Sequence, residues 1–118
     1  MIYRRKTYQI DRSVLASFNE HFNKTLLPTQ LKYGARLVGR WMTKEKDGIV
    51  EIFAIWQYDS YEDYEEIEKN VKSDKEHVDL VKSWYKKMGG KEKLKEVFLE
   101  IEQDFIESTV PPEKTICD

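Results

Sequence analysis

The sequence predicts an α+β domain in which helices cover one face of an antiparallel sheet. Two apolar runs with an Asp-Gly turn between them occupy residues 34–58, and amphipathic segments flank this pair on both sides. The resulting order is strand, helix, strand, strand, helical region, strand, the split βαβ arrangement typical of ferredoxin-like domains. With 118 residues, the chain is expected to form one such domain over residues 1–110, followed by a tail at 111–118.

The composition excludes several classes of protein. Charged residues make up 36% of the chain, the net charge is -2, and both signs are mixed along the sequence. No basic stripe favours nucleic acid as a partner, and no apolar run suggests a membrane segment or a secretion signal. The single cysteine, Cys117, cannot form an internal disulfide, in agreement with a reducing compartment. We therefore expect a cytoplasmic protein without nucleic-acid or membrane partners.

The first strand candidate, at residues 2–10, carries three adjacent cations, Arg4, Arg5 and Lys6. Charged residues often protect the exposed edge of a sheet, and this interpretation is favoured. The alternative is that the cations face a pocket for an anionic group.

The helix that follows is indicated by apolar residues at three- and four-residue spacings, with Asp11 or Ser13 as its N-cap. The helix is expected to end before Pro28, because proline lacks the N–H group that a helix interior needs, and residues 28–31 can start a short further turn that leads to Gly34. His21 lies on the apolar stripe. Since no second histidine follows at ligand spacing, we interpret His21 as a hydrogen-bonded core residue.

Residues 34–64 contain the hairpin around which the fold is organised. Asp47-Gly48 supplies the turn, since glycine tolerates the positive φ that such turns need. A two- or four-residue loop sets a register in which Arg40 lies opposite Ile55. The two predicted faces carry Leu37, Gly39, Trp41, Ile52, Ala54, Trp56 and Tyr58 on one side, and Val38, Arg40, Met42, Phe53, Ile55 and Gln57 on the other.

Both of these faces are apolar, whereas a sheet with one wet face would alternate cleanly. The first and last strands also carry apolar residues on both faces. A second copy of the chain is therefore expected to cover the outer face, because soluble chains commonly bury a self-complementary patch in a two-fold dimer.

Two helices and a strand complete the prediction. Ser60 begins a capping-box pattern before an acidic first turn, and a second such pattern begins at Ser73. Two glycines at 89–90 end this helical region. Apolar and polar residues alternate over residues 96–110, which predicts a long final strand that ends at the two prolines at 111–112.

The tail after these prolines has two interpretations. It lies across the partner subunit, with Ile116 making an apolar contact, or it is disordered. Truncation after Val110 is expected to weaken the dimer in the first case and to leave it unchanged in the second.

The strand pair carries a resemblance to a known family. The stretches Leu37-Val38-Gly39-Arg40-Trp41 and Ile55-Trp56-Gln57-Tyr58-Asp59-Ser60 resemble the central part of NIPSNAP-type members of the dimeric α+β barrel superfamily. The opening Lys6-Thr7-Tyr8 is similar to the Arg-Thr-Tyr of the family's first strand, with Lys in place of Arg. The resemblance implies a homodimer whose two sheets form a barrel, with a pocket in each subunit between sheet and helices. Such relatives include antibiotic-pathway monooxygenases without cofactors, haem-degrading monooxygenases, isomerases and members with no established activity.

Haem degradation is disfavoured within this resemblance. Haem-degrading relatives resemble one another in an Asn on the first strand, a Trp on the third strand and an iron-ligating His on the last helix. Trp56 and His77 match the last two, but Tyr8 and Gln9 stand where the Asn is expected. His77, in the first turn of its helix, is interpreted as an ordinary solvated histidine. The chain is therefore expected to use no metal and no cofactor.

The candidate site residues are polar or aromatic. The predicted catalytic residues are Arg40, Tyr8 and His77. The predicted ligand-binding residues are Trp41, Phe53, Trp56, Tyr58 and Trp84. Arg40 is the most informative, because a guanidinium in a buried strand needs a carboxylate, several carbonyls or a bound anion. For the Trp and Tyr residues, ordinary core packing is the favoured alternative.

Two functions remain open at this point. The first is a small homodimeric pocket protein that acts as a cofactor-free monooxygenase or isomerase on an aromatic or conjugated small molecule, since this chemistry needs a dry pocket and groups that stabilise an enolate. The second is a non-enzymatic ligand-carrying or protein-interaction module of NIPSNAP type. No catalytic sequence motif separates them.

Overall fold

The computed structural model of the protein describes residues 1–115. In chain order, the main elements are β1 (Ile2–Asp11), α1 (Leu15–His21), α2 (Leu27–Lys32), β2 (Arg36–Met42), β3 (Ile49–Tyr58), α3 (Tyr61–Ser73), α4 (Lys75–Lys87), α5 (Lys91–Val97) and β4 (Phe98–Ile106). The strands form one antiparallel sheet in the order β2-β3-β1-β4. The predicted α+β ferredoxin-like fold is confirmed. Over the described residues, every helix is too short or too polar to cross a bilayer.

β1 lies in the middle of this sheet, paired with β3 on one side and β4 on the other. The interpretation of its cations as protection of a sheet edge is therefore wrong. Because side chains alternate along a strand, Arg4 and Lys6 lie on the helix side, opposite Trp56 and Ala54 of β3, while Arg5 lies on the outer face.

The tip of the hairpin forms as predicted. Asp47 and Gly48 make a two-residue turn with φ of 54° and 79°, the conformation that type I′ turns require. Away from the turn, the β2 arm of the hairpin has two residues more than the β3 arm. One extra residue lies between Thr43 and the turn, and the other forms a bulge at Val38. A bulge places two residues of one strand opposite one residue of its partner, so each bulge shifts the register by one.

The predicted register of β2 is therefore wrong. Arg40 lies opposite Ala54, not Ile55, and so belongs to the helix side of the sheet. Trp41 lies opposite Phe53 on the outer face, where it is 47% exposed. A shift of one residue moves every side chain to the other face, and the chain contains no residue pattern that announces the bulge.

The first α-helix ends before Pro28, as predicted, and a second short helix begins at Leu27, but the backbone between them stays helical. Asp11 is the cap, and its carboxylate accepts a hydrogen bond from the backbone N–H of Ser13. A π-helical turn, Phe22–Leu26, joins α1 to α2. Pro28 falls in the first turn of α2, where the wider π turn has already interrupted the α-helical hydrogen-bond ladder, so its missing N–H group is tolerated.

The later caps follow the sequence closely. The Ser60 hydroxyl accepts a hydrogen bond from the backbone N–H of Asp63 at the start of α3. At the start of α4 the capping residue is Asp74, one position after the predicted Ser73.

The short helix α5 is absent from the prediction, which extended the final strand back to residue 96. Leu94 and Val97 of α5 are buried in the core. Their three-residue spacing among strong helix formers favours this helix. β4 is correspondingly shorter than predicted and ends at Ile106, after which Pro112–Lys114 forms a 3₁₀ turn. The predicted contact of Ile116, and Cys117 with it, lie outside the described residues.

Two apolar clusters fill the space between sheet and helices. The first joins β1 and β3 to α1, α4 and α5, and its buried members are Ile10, Val14, Phe18, Val50, Ile52, Trp84, Leu94 and Val97. The second joins β3 to α3, and its buried members are Phe22, Ala35, Ala54, Trp56, Tyr58, Ile67 and Val71.

The outer face of the sheet is apolar mainly where β2 and β3 pair. Trp41 and Phe53 pack together there, with ring centroids 5.5 Å apart. Along β4 the outer face instead carries a row of acids, Glu100, Glu102 and Asp104, with Ile106 opposite Tyr3 as its apolar residue, so the last strand adds little to the expected apolar outer face. The proximity of Glu100 raises the pKa of Glu102.

Candidate functional site

A cavity open to solvent lies between α4, α5 and the β1–β4 side of the sheet, and its volume of about 460 Å³ exceeds that of the three other depressions described below. Its apolar wall is formed mainly by Tyr8, Phe18, Trp84, Leu94, Phe98 and Ile101. This is the place where the sheet–helix space is left open, and pockets of this size are typical of small-molecule sites. We refer to it below as the cavity.

An aromatic cage holds one end of the cavity. Tyr8 of β1 and Phe98 at the start of β4 both contact Phe18 of α1, each with ring centroids 5.0 Å apart and nearly perpendicular rings. Such edge-to-face contacts fix ring positions as well as burying apolar area. The cage is therefore preorganised by three elements that are distant in the chain.

His21 and Trp84 form the next part of the wall. Their rings stack in parallel, 4.3 Å apart, and the indole N–H of Trp84 donates to the Ser17 hydroxyl at 3.1 Å. Burial, together with a smaller effect of the nearby His77, lowers the pKa of His21 to about 4. At neutral pH the imidazole of His21 is thus uncharged, and it can accept a hydrogen bond or a proton.

Three lysines supply the charge of the cavity. Lys6, Lys91 and Lys95 line it, and no carboxylate is among its lining residues. The Lys6 ammonium lies 5.5 Å from the centroid of the Tyr8 ring, a distance at which the ring face attracts a cation.

Arg40 lies behind this wall and does not line the cavity. Its guanidinium donates to Asn19 Oδ1 at 2.7 Å and lies 5.1 Å from the Phe18 ring and 4.3 Å from the Phe22 ring. The partner is thus an amide and two rings, where the sequence led us to expect a carboxylate, carbonyls or an anion. Burial lowers the pKa of Arg40, and its Nη2 atom is buried without a hydrogen-bond partner among the described residues.

His77 lies in a separate depression beside Lys24 and Lys32. Its ring is buried, and its Nδ1 atom is 2.9 Å from the Thr29 hydroxyl. The interpretation of His77 as a solvated histidine is therefore wrong, because α4 packs against the π-helical turn and closes over the ring. Burial lowers the pKa of His77. The structure does not place His77 beside Tyr8 in the cavity.

The five predicted ligand-binding aromatics are distributed over three places. Trp84 lines the cavity. Trp56 and Tyr58 are buried in the second apolar cluster. Trp41 and Phe53 lie on the outer face of the sheet.

A buried cation occupies the other half of the interior. Arg4 is only 4% exposed, donates to Gln103 Oε1 at 3.1 Å and lies 3.8 Å from the Glu68 carboxylate. It also lies over the rings of Tyr58 and Tyr64. Burial raises the pKa of Tyr58 to about 12, although the nearby Arg4 opposes this. The Tyr58 hydroxyl is buried without a hydrogen-bond partner in the described part of the chain.

Metal ligands are not clustered in residues 1–115, where no three His, Cys, Asp or Glu side chains are grouped to hold an ion. His77 and Trp56, which matched the haem-degrading pattern, lie in different environments, one against Thr29 and the other packed on Phe22.

The NIPSNAP family model matches residues 3–93 of this chain, which covers the first three strands and most of the helical region. The chain belongs to the NIPSNAP family. No curated protein matches it in sequence.

Solved structures of NIPSNAP proteins share the fold of the whole chain. A NIPSNAP family protein from Agrobacterium tumefaciens superposes with a TM-score of 0.71 at 14% identity, over 94% of this chain and 96% of its own. An uncharacterized NIPSNAP domain protein from Burkholderia xenovorans gives 0.65 at 18% identity, over 95% and 99%. A dimeric ferredoxin-like protein from an uncultured marine organism gives 0.50 at 19% identity, over 92% and 96%.

The prediction for this NIPSNAP protein named Tyr8 and Trp84 of the cavity and, as an alternative, a pocket for an anion beside the β1 cations that include Lys6, but it missed Lys91, Lys95, His21 and Phe98. Lys6 was visible as one of three cations on a strand, and an even position places it on the same face as Tyr8. The lysines of α5 were hidden because the helix itself was not predicted. His21 was assigned to the core, which agrees with its burial but overlooks the cavity beside it.

Proposed function

We propose that this NIPSNAP protein is a homodimeric binding protein that holds a small aromatic or conjugated molecule in the cavity. The observation that carries the proposal is the open space of about 460 Å³ beside the Tyr8–Phe18–Phe98 cage. The space is open to solvent, since Ile101 and Tyr85 of its lining are 55% and 36% exposed, so a molecule can enter it, and its mostly apolar and aromatic wall is typical of ligand sites. The flat rings of the wall offer stacking surfaces to a planar ligand.

Two mutants of β4 make a sharp test of this site. Ile101 lines the cavity and is 55% exposed, whereas Leu99 on the same strand is 50% exposed and does not line it. Ile101→Trp is expected to fill the cavity and to abolish binding of N-phenyl-1-naphthylamine, a neutral fluorescent aromatic probe. Leu99→Trp adds the same ring at a matched position and is expected to leave binding unchanged. Fluorescence titration measures both. Equal binding by the two variants contradicts the proposal.

The homodimer is supported by the apolar part of the outer sheet face. Trp41 is 47% exposed and packs on Phe53, and large exposed apolar patches commonly mark interfaces. Among the similar structures is one described as a dimeric ferredoxin-like protein. The partner sheet is proposed to cover this patch, as in the two-sheet barrel that the family resemblance implies.

Neighbouring residues on opposite faces test the dimer. Trp41→Lys places a charge in the proposed interface and is expected to give monomers, while Met42→Lys places the same charge on the other face of β2 and is expected to leave dimers. Sedimentation velocity separates the two states. A wild-type protein that sediments near 14.1 kDa contradicts the dimer.

Catalysis is a second candidate function for the same cavity. Three groups able to transfer or stabilise a proton, Lys6, Tyr8 and His21, line it together. The imidazole of His21 is uncharged at neutral pH and can take the proton of an enolisable aromatic ketone, as in cofactor-free isomerases or monooxygenases, but a pKa of about 4 makes it a weak base, so the expected acceleration is small.

Deuterium exchange at the α-carbon of an aromatic 1,3-diketone measures this activity directly by NMR. Wild-type protein is expected to accelerate the exchange, and His21→Phe is expected to abolish it while still binding the neutral probe. If the exchange rate with the protein present equals the rate in buffer alone, the cavity binds its ligand without catalysis.

A further inference from the structure

The charge of the cavity differs from that of the rest of the surface. The chain carries a net charge of -2, yet all charged residues that line the cavity are lysines, namely Lys6, Lys91 and Lys95. Three smaller depressions on the surface each mix cations with carboxylates, among them Glu20, Asp59 and Asp74. The cavity is therefore a local positive site on a protein that is acidic overall.

These lysines are not neutralised within the described part of the chain. None of the three takes part in a salt bridge there; exposed lysines such as Lys69 and Lys72 also have none, but Lys6 is half-buried and still meets no carboxylate. In the sheet, Lys6 is flanked by the uncharged Ala54 and Gln103. The uncharged imidazole of His21 adds neither positive nor negative charge to the cavity. A cavity with apolar walls and unpaired cations focuses its field on whatever enters it.

We infer that the ligand is an anion, a molecule with a planar apolar body and one carboxylate, sulfonate or phosphate group. The body lies against Phe18, Trp84 and Phe98, and the anionic group lies toward Lys6, Lys91 and Lys95. This inference rests on the proposed binding function and adds the chemical class of the ligand.

The geometry separates the two parts of such a ligand. Lys6 is half-buried, with its ammonium held against the Tyr8 ring, so it is preorganised to meet an anionic group at the cavity wall. Lys91 and Lys95 extend from exposed positions on α5, one helical turn apart on the same face, so both reach one group. A neutral molecule of the same shape makes the aromatic contacts and gains nothing from the lysines.

Two probes that differ in one group test the inference. The dye 8-anilinonaphthalene-1-sulfonate is N-phenyl-1-naphthylamine with one added sulfonate. Wild-type protein is expected to bind the sulfonate about tenfold more tightly than the neutral probe, and added NaCl is expected to weaken only the sulfonate, because salt screens charge. Fluorescence titration gives both dissociation constants.

Two triple variants provide the matched control. K6M/K91M/K95M removes the three cavity lysines, and K69M/K72M/K82M removes three exposed lysines that line no part of the cavity. Both change the net charge equally. The first is expected to reduce sulfonate affinity about tenfold and to change neutral-probe affinity less than twofold. The second is expected to change neither affinity more than twofold.

The outcomes separate the two claims. Equal affinities of wild-type protein for both probes, or equal effects of the two triple variants, overturn the anion inference while the binding function stands. Failure of both probes to bind overturns the binding function and the inference together. Sulfonate binding that persists in Ile101→Trp comes from another surface and also overturns the inference.

Discussion

The two halves of the sheet–helix interior contain similar aromatic residues but differ in packing. Beneath α3, Trp56 and Tyr58 fill the space and a buried Arg4 finds an acid in Glu68. Beneath α4 and α5, a comparable set of rings leaves a cavity of about 460 Å³ whose lysines meet no acid. Aromatic content alone therefore does not distinguish a core from a site. The distinguishing features are unfilled volume and cations without partners.

Truncation of one tryptophan in each half gives the largest expected effect. Trp56→Ala should lower the free energy of unfolding by about 3–5 kcal/mol, because the ring is buried and packed on Phe22. Trp84→Ala should cost less, about 2–3 kcal/mol, since one side of its ring already borders open space. Urea unfolding at one protein concentration measures both. Equal losses would show that the two halves are packed alike.

His21 lies in the half of the interior that contains the cavity, and it makes the stability of the protein sensitive to acidic pH. The folded pKa of His21 is about 4 and the unfolded value is about 6.5, so the unfolded chain takes up the proton first. The stability that depends on the neutral ring is complete above pH 6.5 and is lost as the pH falls toward 4. His21→Phe keeps a ring against Trp84 and should remove this loss.

Two other titrating groups also change the stability of the protein with pH, and the comparison with the variant must separate their effects from that of His21. His77 also has a pKa lowered by burial and adds to the same window, while the hydrogen bonds that Asp74 accepts lower its carboxyl pKa and place its effect at more acidic pH. Chemical unfolding at pH 7, 5.5 and 4.5 isolates the difference. A variant with the wild-type pH profile would exclude His21 as the source.

Arg40 lies on the border between the halves, and its replacement should have a smaller effect. Its guanidinium contacts Phe18 of one cluster and Phe22 of the other. Arg40→Met should change the free energy of unfolding by only about 1 kcal/mol, because the lost partner is the half-buried amide of Asn19 and no acid is left unpaired. A thermal unfolding curve that shows a loss above about 3 kcal/mol indicates a charged partner. Probe binding should persist, since Arg40 does not line the cavity.

The smallest expected effect is a gain in the filled half. Tyr58→Phe removes a buried hydroxyl that has no hydrogen-bond partner in residues 1–115, and should stabilise the protein by about 1 kcal/mol at pH 7. Because the folded pKa of Tyr58 is about 12, above its ordinary value near 10, wild-type stability is also lost as the pH rises from 10 to 12. The variant should lack this alkaline loss. A destabilised variant at pH 7 would reveal a partner for the hydroxyl.

The sequence alone predicted the features that depend on neighbouring residues. The Asp47-Gly48 turn, the Ser60 cap and the order of strands each follow from a few adjacent side chains. The fold class followed from that order. The face on which Arg40 lies could not be predicted, because one extra residue between Thr43 and the turn shifts β2 by one position and leaves no pattern in the side chains.

The cavity could not be predicted from the sequence for a related reason. Lys6, Phe18 and Phe98 come from β1, α1 and β4, and only the paired register of β1 with β4 brings the first and last of them together. Empty volume is a property of how whole elements pack, and no single segment encodes it. The cations of β1 are evident in the sequence, but their role depends on the central position of this strand in the sheet, which the sequence did not predict.

The irregular arm of the hairpin has a consequence for how this chain tolerates length changes. Losing a single residue between Thr43 and the Asp47-Gly48 turn would leave the tip intact and restore an uninterrupted ladder. It would also turn β2 over, so that Arg40 met the proposed partner sheet and Trp41 entered the helix side. In this arm, insertions and deletions act in steps of two: a pair of residues changes only the length, and a single residue exchanges the inner and outer faces of β2.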